Sequence, residues 1–260
     1  MFSILASSVR FTYRTLVLMV YLLIVLFPTL YLMNHYRQSE TAAGSRKADV
    51  VAVRLARHLA WLFGVRVKLI GTPANGPVLF AANHISWLDI PVLHSGCAMG
   101  FVGKAEIDEW PIFRHIARVG GTIFHQRGCQ DSAAEVMTAM GQRLQQGRAV
   151  AIFPEGGIKP GSSVRVFHAR MFKPAVDVGC LLQPVMVRYL RDDHRDDDFS
   201  FREGESMLKN FLRVLARRGV TAELHFLPAF SARDKPRREL ADAARAAVID
   251  SYESQAVTSP

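Results

Sequence analysis

The first hydrophobic pattern along the chain is continuous rather than periodic. The stretch Thr15–Tyr36 contains no Asp, Glu, Lys or Arg, and its core, Leu16–Met33, is 18 residues long. A helix of that length, rising about 1.5 Å per residue, nearly crosses a bilayer core of about 30 Å. We therefore predict an N-terminal segment, residues 1–45, that contains a membrane-anchoring helix and a polar linker. Pro28 leaves a kinked or re-entrant element open, and basic residues on both sides leave the orientation open.

Beyond this segment, short apolar runs alternate with amphipathic patterns. Runs typical of strands lie at residues 65–71, 77–82, 100–104, 122–127, 149–155, 181–189 and 221–228. Helical patterns lie near residues 50–63, 108–118, 131–146, 170–178, 203–218 and 237–252. Strands rich in Val, Ile, Leu and Phe that alternate with helices favour an α/β fold with a largely parallel central sheet flanked by helices. Residues 46–260 are predicted to form one domain, with the charged run at 191–198 as a solvated loop.

The charge balance points to an anionic partner. The 260 residues include 32 Lys and Arg against 23 Asp and Glu, a net charge of +9 at pH 7. Such a protein suits a phospholipid surface, a phosphorylated substrate or a nucleic acid. Cys97, Cys129 and Cys180 form no CxxC pair and indicate neither a disulfide framework nor a zinc site. We predict reduced cysteines in a protein that faces the cytosol.

Polar residues follow several of the predicted strands. In an α/β sheet, ligands gather where strands end and loops begin. Asn83-His84, Lys104, Arg127 and Glu155-Gly156 occupy such positions, and Asp89 follows His84 at a spacing of His-x4-Asp. Each of these features is weak by itself, because a His-x4-Asp spacing arises easily by chance in a chain with this many His and Asp residues.

The ordered combination of these features is specific. In order and spacing the chain resembles the glycerolipid acyltransferase family, which includes bacterial 1-acylglycerol-3-phosphate acyltransferases. The residues that match its four sequence blocks are His84 and Asp89, then Gly121 and Arg127, then Phe153–Gly156, and last Pro184. The resemblance is strong over residues 75–190 and looser over the C-terminal third. It implies that residues 46–260 are an acyltransferase catalytic domain.

The chemistry of this family suits the matched histidine and aspartate. Acyl transfer from a thioester to an alcohol needs a base that takes the alcohol proton, and neutral imidazole serves near neutral pH. We predict His84 as that base and Asp89 as the residue that fixes its tautomer, provided the chain turns sharply before a helix at Asp89. A helix N-cap is the alternative role for Asp89. Transfer is predicted to be direct, with no metal and no cofactor, from acyl-CoA or acyl-carrier protein.

The resemblance also implies a set of substrate-binding residues. These are Arg127, Gly121, Glu155, Gly156 and Lys104. The fork of Arg127 suits phosphate oxygens, and Gly156 lets the backbone approach a ligand closely. Glu155 is predicted either to help bind the glycerol-phosphate portion or to hold Arg127 or Lys104 by ion pairing.

Two departures from the family pattern affect the acceptor. Gln126 precedes Arg127 where the family often has an acidic residue or Asn, and Lys159 stands where an arginine is common. A basic cluster, Arg165, His168 and Arg170, follows. Lysophosphatidic acid, which gives phosphatidic acid in phospholipid biosynthesis, is the default acceptor. A lyso-aminolipid such as lyso-ornithine lipid is the alternative.

Functions of other classes receive less support. No G-x-S-x-G is present for a serine hydrolase. A metal hydrolase that uses His84 and Asp89 with His94 or Glu155 is a further alternative, but no tight ligand spacing supports it. A non-catalytic, membrane-tethered lipid-binding module stays open. The predicted partners are a lysophospholipid, an acyl thioester and an anionic membrane surface, with no nucleic acid. The predicted location is the cell inner membrane, with the catalytic domain on the cytoplasmic side.

Overall fold

One sheet with helices on both faces makes up most of the molecule. The computed structural model describes residues 2–36, 47–104, 121–125, 130–158 and 163–254. The strands are β1 (Val65–Ile70), β2 (Val78–Ala82), β3 (Gly100–Lys104), β4 (Ile123–His125), β5 (Val150–Ile152), β6 (Leu181–Arg191), β7 (His194–Arg195), β8 (Val220–Phe226) and β9 (Phe230–Ser231). The α-helices are α1 (Phe2–Val20), α2 (Phe27–Tyr36), α3 (Lys47–Leu62), α4 (Asp89–Gly96), α5 (Gln130–Gln145), α6 (Lys173–Val178), α7 (Met207–Ala216) and α8 (Arg237–Ser254).

The sheet is largely parallel, as predicted. Its order is β1-β8-β6-β2-β5-β3-β4, and every pair along this path is parallel except β6 with β8. Strand β2 lies at the centre, and all five of its residues are buried. A strand covered on both faces has no solvent side, which explains its unbroken apolar sequence. One hydrophobic cluster includes residues of α3, α4 and α7, and the other includes residues of α5, α6 and α8.

The N-terminal segment is a long helix that changes its winding once. Helix α1 continues through a π-helical stretch, Tyr21–Leu26, into α2. Pro28 lacks an N–H and disrupts the regular hydrogen-bond ladder of the preceding turn, and a π-helical turn accommodates such a break. Leu26 of the π-helical stretch and Leu30 of α2 pack, with their neighbours, against α3. Of the predicted linker, residues 37–49, the part at 37–46 lies outside the described residues, and the last three residues begin α3 instead.

This long helix presents an apolar surface to its surroundings. Leu5–Met33 is long and apolar enough, by length and composition, to cross a membrane. A stripe of side chains, each more than half exposed, runs along it: Val9, Tyr13, Leu16, Val20, Leu23, Phe27 and Tyr31. An exposed apolar surface of this length is costly in water and favours association with a membrane.

The middle of α1 is joined to the sheet domain through the end of α7. Nη1 of Arg14 donates to the carbonyl oxygens of Leu215 (3.2 Å) and Arg217 (2.7 Å). Nε of Arg10 donates to the carbonyl oxygen of Ala216 at 3.3 Å. The last carbonyls of a helix lack partners within the helix and carry partial negative charge, so guanidinium groups stabilise this end of α7.

Three sequence predictions differ from the structure or fall outside it. The charged run at 191–198 is not a simple loop, because β7 folds back on β6 across a tight turn at Asp192 and Asp193. Both residues have positive φ values (50° and 61°), which aspartate tolerates better than most residues. The helix predicted at 170–178 begins with a 3-10 turn, Ala169–Phe172. The helix predicted at 108–118 lies outside the described residues.

Candidate active site

The site begins where β2 ends, at Asn83. Its side-chain amide donates to the carbonyl oxygen of Val187 (2.9 Å), and its Oδ1 accepts from the N–H of Val187 (2.8 Å). The asparagine side chain thus takes over the hydrogen bonds that the next residues of the strand would have made to β6. The main chain is released from the sheet at this point and carries His84 to the carboxyl edge of the sheet.

Asp89 folds back onto the turn that precedes α4. Its Oδ2 accepts hydrogen bonds from the backbone N–H groups of Ile85 (2.7 Å) and Ser86 (2.9 Å) and lies 2.8 Å from Nδ1 of His84. Asp89 has no solvent exposure and is the first residue of α4. The N-cap alternative is therefore wrong, because an N-cap side chain accepts from residues after it, whereas Asp89 accepts from residues before it.

The other ring nitrogen of His84 faces outward. The side chain retains 12% exposure, and Nε2 has no hydrogen-bond partner among the described residues. One face of the ring stacks on Phe153, with ring centroids 3.8 Å apart and planes inclined by 11°. Phe153 follows β5, the parallel neighbour of β2, so two adjacent strand ends fix this imidazole. Its position suits proton exchange with a molecule at the sheet edge.

Glu155 connects the backbone of His84 to Arg165. Oε1 accepts from the backbone N–H of His84 at 2.9 Å. Oε2 accepts from the backbone N–H of Arg165 at 3.1 Å and pairs with its guanidinium at 3.2 Å. The carboxylate is buried, with 5% of the residue exposed. Of the two predicted roles for Glu155, the geometry supports ion pairing, but its partner in the described chain is Arg165.

The turn after Glu155 brings two glycines next to this pair. Gly156 has φ +79°, and a Cβ atom there would meet Nε2 of His168 at 3.3 Å. The guanidinium of Arg165 also donates to the carbonyl oxygen of Gly157. The predicted close approach of backbone to ligand at Gly156 stays a prediction, because the neighbour in this geometry is His168. Of the predicted basic cluster, Arg165 is engaged here, whereas His168 and Arg170 are exposed.

Gly121 does not join the other predicted residues. It precedes β4, and its carbonyl oxygen accepts from Nη1 of Arg143 at 3.4 Å, at the amino edge of the sheet. A Cβ atom at Gly121 would lie 2.5 Å from that guanidinium. Gly121 thus makes room for Arg143 and does not lie beside His84. Arg127 and the side chain of Lys104 lie outside the described residues, so their predicted contacts stay predictions.

His94 is not hydrogen-bonded to His84 or Asp89, and among the described residues its buried Nδ1 has no hydrogen-bond partner. Burial, and secondarily the positive charge of Arg143, lower the pKa of His94 to about 4. Its ring packs against Phe101, with centroids 5.0 Å apart. Among the described residues, no group of three His, Cys, Asp or Glu side chains is placed to hold a metal ion.

Comparison with known proteins decides the family. A family model described as acyltransferase matches residues 64–188, from the turn before β1 into β6. Over 209 residues the chain is 35% identical to the lyso-ornithine lipid O-acyltransferase of Pseudomonas aeruginosa. This alignment covers 77% of this chain and 80% of that protein. The chain belongs to the acyltransferase family. The resemblance inferred from the four sequence blocks is confirmed.

Proteins named for the other predicted acceptor, 1-acylglycerol-3-phosphate, also match the chain. It is 34% identical over 149 residues to the 1-acyl-sn-glycerol-3-phosphate acyltransferase of Neisseria gonorrhoeae, covering 56% of this chain and 57% of that protein. The crystal structure of the 1-acyl-sn-glycerophosphate acyltransferase of Thermotoga maritima superposes with a TM-score of 0.70, at 16% identity and 99% coverage of both chains. At that identity the second match establishes the fold alone, and the fold prediction is confirmed.

Tyr189 belongs to this acyltransferase site but was not predicted from the sequence. Its hydroxyl donates to Oδ1 of Asp89 at 2.6 Å, and its ring stacks on Phe199 with centroids 5.6 Å apart. Burial, together with the neighbouring Asp89 carboxylate, raises the pKa of Tyr189 well above its usual value. The hydroxyl therefore stays protonated and donates. Tyr189 lies one hundred residues after Asp89, and the sequence of β6, in which six consecutive residues are buried, gave no signal that this side chain reaches Asp89.

A second contact missed by the sequence holds the loop between His84 and Asp89. Nε1 of Trp87 donates to Oδ1 of Asn210 on α7 at 2.9 Å. The indole also packs edge-on against Phe63, with centroids 4.9 Å apart. The loop is thus tied to α7 as well as to Asp89.

Replacing Tyr189 by phenylalanine is expected to lower kcat about tenfold while leaving KM nearly unchanged. The variant keeps the ring but removes one of the hydrogen bonds that hold the buried carboxylate, and bonds to charged groups are worth about 1.5–3 kcal/mol. Steady-state kinetics of the two proteins check this. Tyr31→Phe removes a hydroxyl from an exposed position on α2 and should leave kcat unchanged. A kcat for Tyr189→Phe equal to that of the unmodified enzyme would show that this bond does not position Asp89.

Proposed function

We propose that this acyltransferase moves a fatty acyl group from a thioester to the free hydroxyl of a lysolipid, with His84 as general base. The observation that carries the proposal is the His84–Asp89 pair. Nδ1 is held at 2.8 Å by a buried carboxylate, while Nε2 is open at the sheet edge. An imidazole whose Nδ1–H donates to a carboxylate has its lone pair on Nε2, which is the form that accepts a proton.

The proposed reaction uses this pair in two proton transfers. Nε2 takes the proton of the lysolipid hydroxyl as its oxygen attacks the thioester carbonyl carbon. Asp89 stabilises the imidazolium that results. The tetrahedral intermediate then collapses, the C–S bond breaks, and the departing sulfur takes the proton from Nε2. The products are the acylated lipid and the free thiol, and His84 returns to its starting state.

The two cysteines within the described residues are poor carriers for a covalent acyl group. Burial raises the pKa of Cys97 to about 12. Burial also raises the pKa of Cys180 to about 11, although backbone hydrogen bonds oppose the shift. A thiol is nucleophilic mainly as a thiolate, so both are inert near neutral pH. This supports direct transfer without an acyl-enzyme.

For the acceptor, the extent of similarity favours lyso-ornithine lipid over the default from the sequence. The alignments with the lyso-ornithine lipid O-acyltransferases of Pseudomonas aeruginosa, Brucella abortus and Rhodobacter capsulatus cover 70–80% of those proteins, and the alignment with that of Rhizobium meliloti covers 39%. The 1-acyl-sn-glycerol-3-phosphate acyltransferases of Neisseria gonorrhoeae and Helicobacter pylori cover 57% and 60% of theirs. We therefore propose lyso-ornithine lipid as the preferred acceptor.

1-Acylglycerol-3-phosphate is the second candidate. The observation that favours it is Arg127, whose guanidinium suits phosphate and which matches the second block of the family. The guanidinium of Arg165 is already paired with Glu155. Recognition of a phosphate would therefore depend on Arg127 and Lys104 more than on Arg165.

A competition assay tests the acceptor. Membranes that contain the protein receive oleoyl-CoA with equal amounts of lyso-ornithine lipid and lysophosphatidic acid, and products are resolved by mass. We expect ornithine lipid to exceed phosphatidic acid. An excess of phosphatidic acid would overturn the acceptor assignment but leave the His84 mechanism standing. Oleoyl-acyl-carrier protein replaces oleoyl-CoA in a parallel reaction, because the donor is proposed only as an acyl thioester.

We propose the cell inner membrane as the location, with the sheet domain on the cytoplasmic side. The apolar stripe on the N-terminal helix supports membrane attachment. The net charge of +9 supports contact with anionic lipid head groups. Acyl thioesters of both proposed kinds are cytoplasmic molecules, which supports the orientation.

A further inference from the structure

A groove separate from the His84 site lies between α1, α3 and β1. It encloses about 730 Å³ and is open to solvent on one side. Its lining includes three arginines, Arg14, Arg57 and Arg66, and no acidic residue from the part of the chain that the structure describes. Strand β1 is the edge of the sheet, three strands away from β2 along the sheet order. The groove is therefore distinct from the edge at which His84 lies.

The arginines of the groove differ in how many of their hydrogen-bond donors already have partners within the protein. The guanidinium of Arg14 already donates to carbonyl oxygens at the end of α7. It also lies over Gly64, where a Cβ atom would be 2.0 Å from it. Arg57 uses only Nε within the described chain, in a hydrogen bond to the carbonyl oxygen of Ser95 at 3.1 Å. Arg66 is exposed and forms no hydrogen bond or salt bridge with any described residue. Two guanidinium groups thus retain donors for an anion.

The rest of the lining is apolar and aromatic. Trp61 is 62% exposed and Tyr13 is 58% exposed, although both side chains are large. Val17 and Leu69 add aliphatic surface. Tyr13 also belongs to the apolar stripe on the N-terminal helix, so the groove opens onto the surface that associates with the membrane. Trp and Tyr favour the level of lipid head groups, where one end of the ring is apolar and the other is wet.

We propose that this groove binds one anionic phospholipid of the surrounding membrane. Arg57 and Arg66 hold the phosphate, whose oxygens suit the planar fork of arginine. Tyr13 and Trp61 flank the glycerol region, and the acyl chains follow the stripe on α1. The described lining holds no carboxylate that would repel an anion, and the continuity of the groove with the apolar stripe through Tyr13 selects a lipid over a soluble anion.

Native mass spectrometry of the full-length protein in detergent tests the site. The probes are dihexanoyl phosphatidylglycerol, dihexanoyl phosphatidylcholine and inorganic phosphate. We expect one phosphatidylglycerol to bind and at least tenfold weaker binding in the double variant Arg57→Gln/Arg66→Gln. Phosphatidylcholine, which carries no net charge, should bind the unmodified protein more weakly than phosphatidylglycerol.

The matched control is Arg54→Gln/Arg238→Gln, which removes the same charge at two exposed positions outside the groove. An equal loss of binding in both double variants would show general surface attraction and overturn the site. Displacement of the lipid by equimolar phosphate would assign the groove to a soluble anion. If the first double variant fails to fold, Arg66→Glu alone must abolish binding, because Arg66 has no described partner in the fold. Binding is measured without turnover, so its outcome is independent of the proposed reaction.

Discussion

His84→Ala is expected to lower the rate of acyl transfer at least a thousandfold while the protein stays folded. General base catalysis contributes about 10²–10⁴-fold, and no other base in the described chain lies at this position on the sheet edge. After the substitution, Asp89 still accepts from Ile85, Ser86 and Tyr189, so its buried charge keeps most of its hydrogen bonds. The expected loss of stability is about 1–2 kcal/mol, because one hydrogen bond and a ring contact disappear.

The measurement is a single-turnover assay with a thermal denaturation curve on the same preparation. His194→Ala is the matched control, since His194 is exposed on β7 and bonds only to the turn at Asp192. The control should keep full activity. If His84→Ala transfers acyl groups within tenfold of the unmodified rate, His84 is not the base. The non-catalytic lipid-binding alternative would then have to be reconsidered for this chain.

Asp89→Asn is expected to damage both activity and stability. The amide has one accepting oxygen where the carboxylate accepts from four groups, including His84 and the Tyr189 hydroxyl. Its NH2 group would face another donor, and a buried unsatisfied donor costs about 1–3 kcal/mol. The imidazole also loses the acceptor that fixes its tautomer, a change that lowers kcat by about 10⁴ in a comparable catalytic triad. We expect a rate loss of at least a hundredfold and a clear fall in Tm.

Asp177→Asn controls for the change of charge. Asp177 forms an exposed pair with Lys173 on α6, and such pairs contribute less than about 1 kcal/mol. His84→Ala and Asp89→Asn should both lower the rate at least a hundredfold, but Asp89→Asn should show the larger drop in Tm. A stable Asp89→Asn protein with normal kinetics would contradict both the orienting role and the structural role of this carboxylate.

Much of the fold was predictable because its central strands are buried on both faces. A strand such as β2, with five consecutive buried residues, leaves an unbroken apolar run that stands out in the sequence. The turn from His84 to Asp89 was predictable for a local reason, since all its hydrogen bonds to Oδ2 fall within five residues. The acyltransferase family followed from four ordered blocks, each too short to be specific alone.

What escaped prediction depends on contacts between distant parts of the chain. Tyr189 reaches Asp89 only because β6 extends past the end of β2, and a strand pattern does not reveal register. Gly121 was predicted at the substrate site, but it precedes β4 and therefore lies at the opposite edge beside Arg143. Arg14 was interpreted only as a charge that influences orientation in the membrane, whereas its partners are carbonyls about two hundred residues further along.

The capping of α7 by Arg10 and Arg14 has a practical consequence for anyone engineering a smaller, water-soluble form. Cutting the chain at residue 45 would remove the hydrophobic helix, but it would also leave the carbonyl end of α7 without its cations. Helix α7 in turn holds Trp87 through Asn210, in the loop that carries His84. The N-terminal helix is thus a structural brace as well as a tether, and redesigning its outward-facing apolar residues is a sounder route to solubility than deleting it.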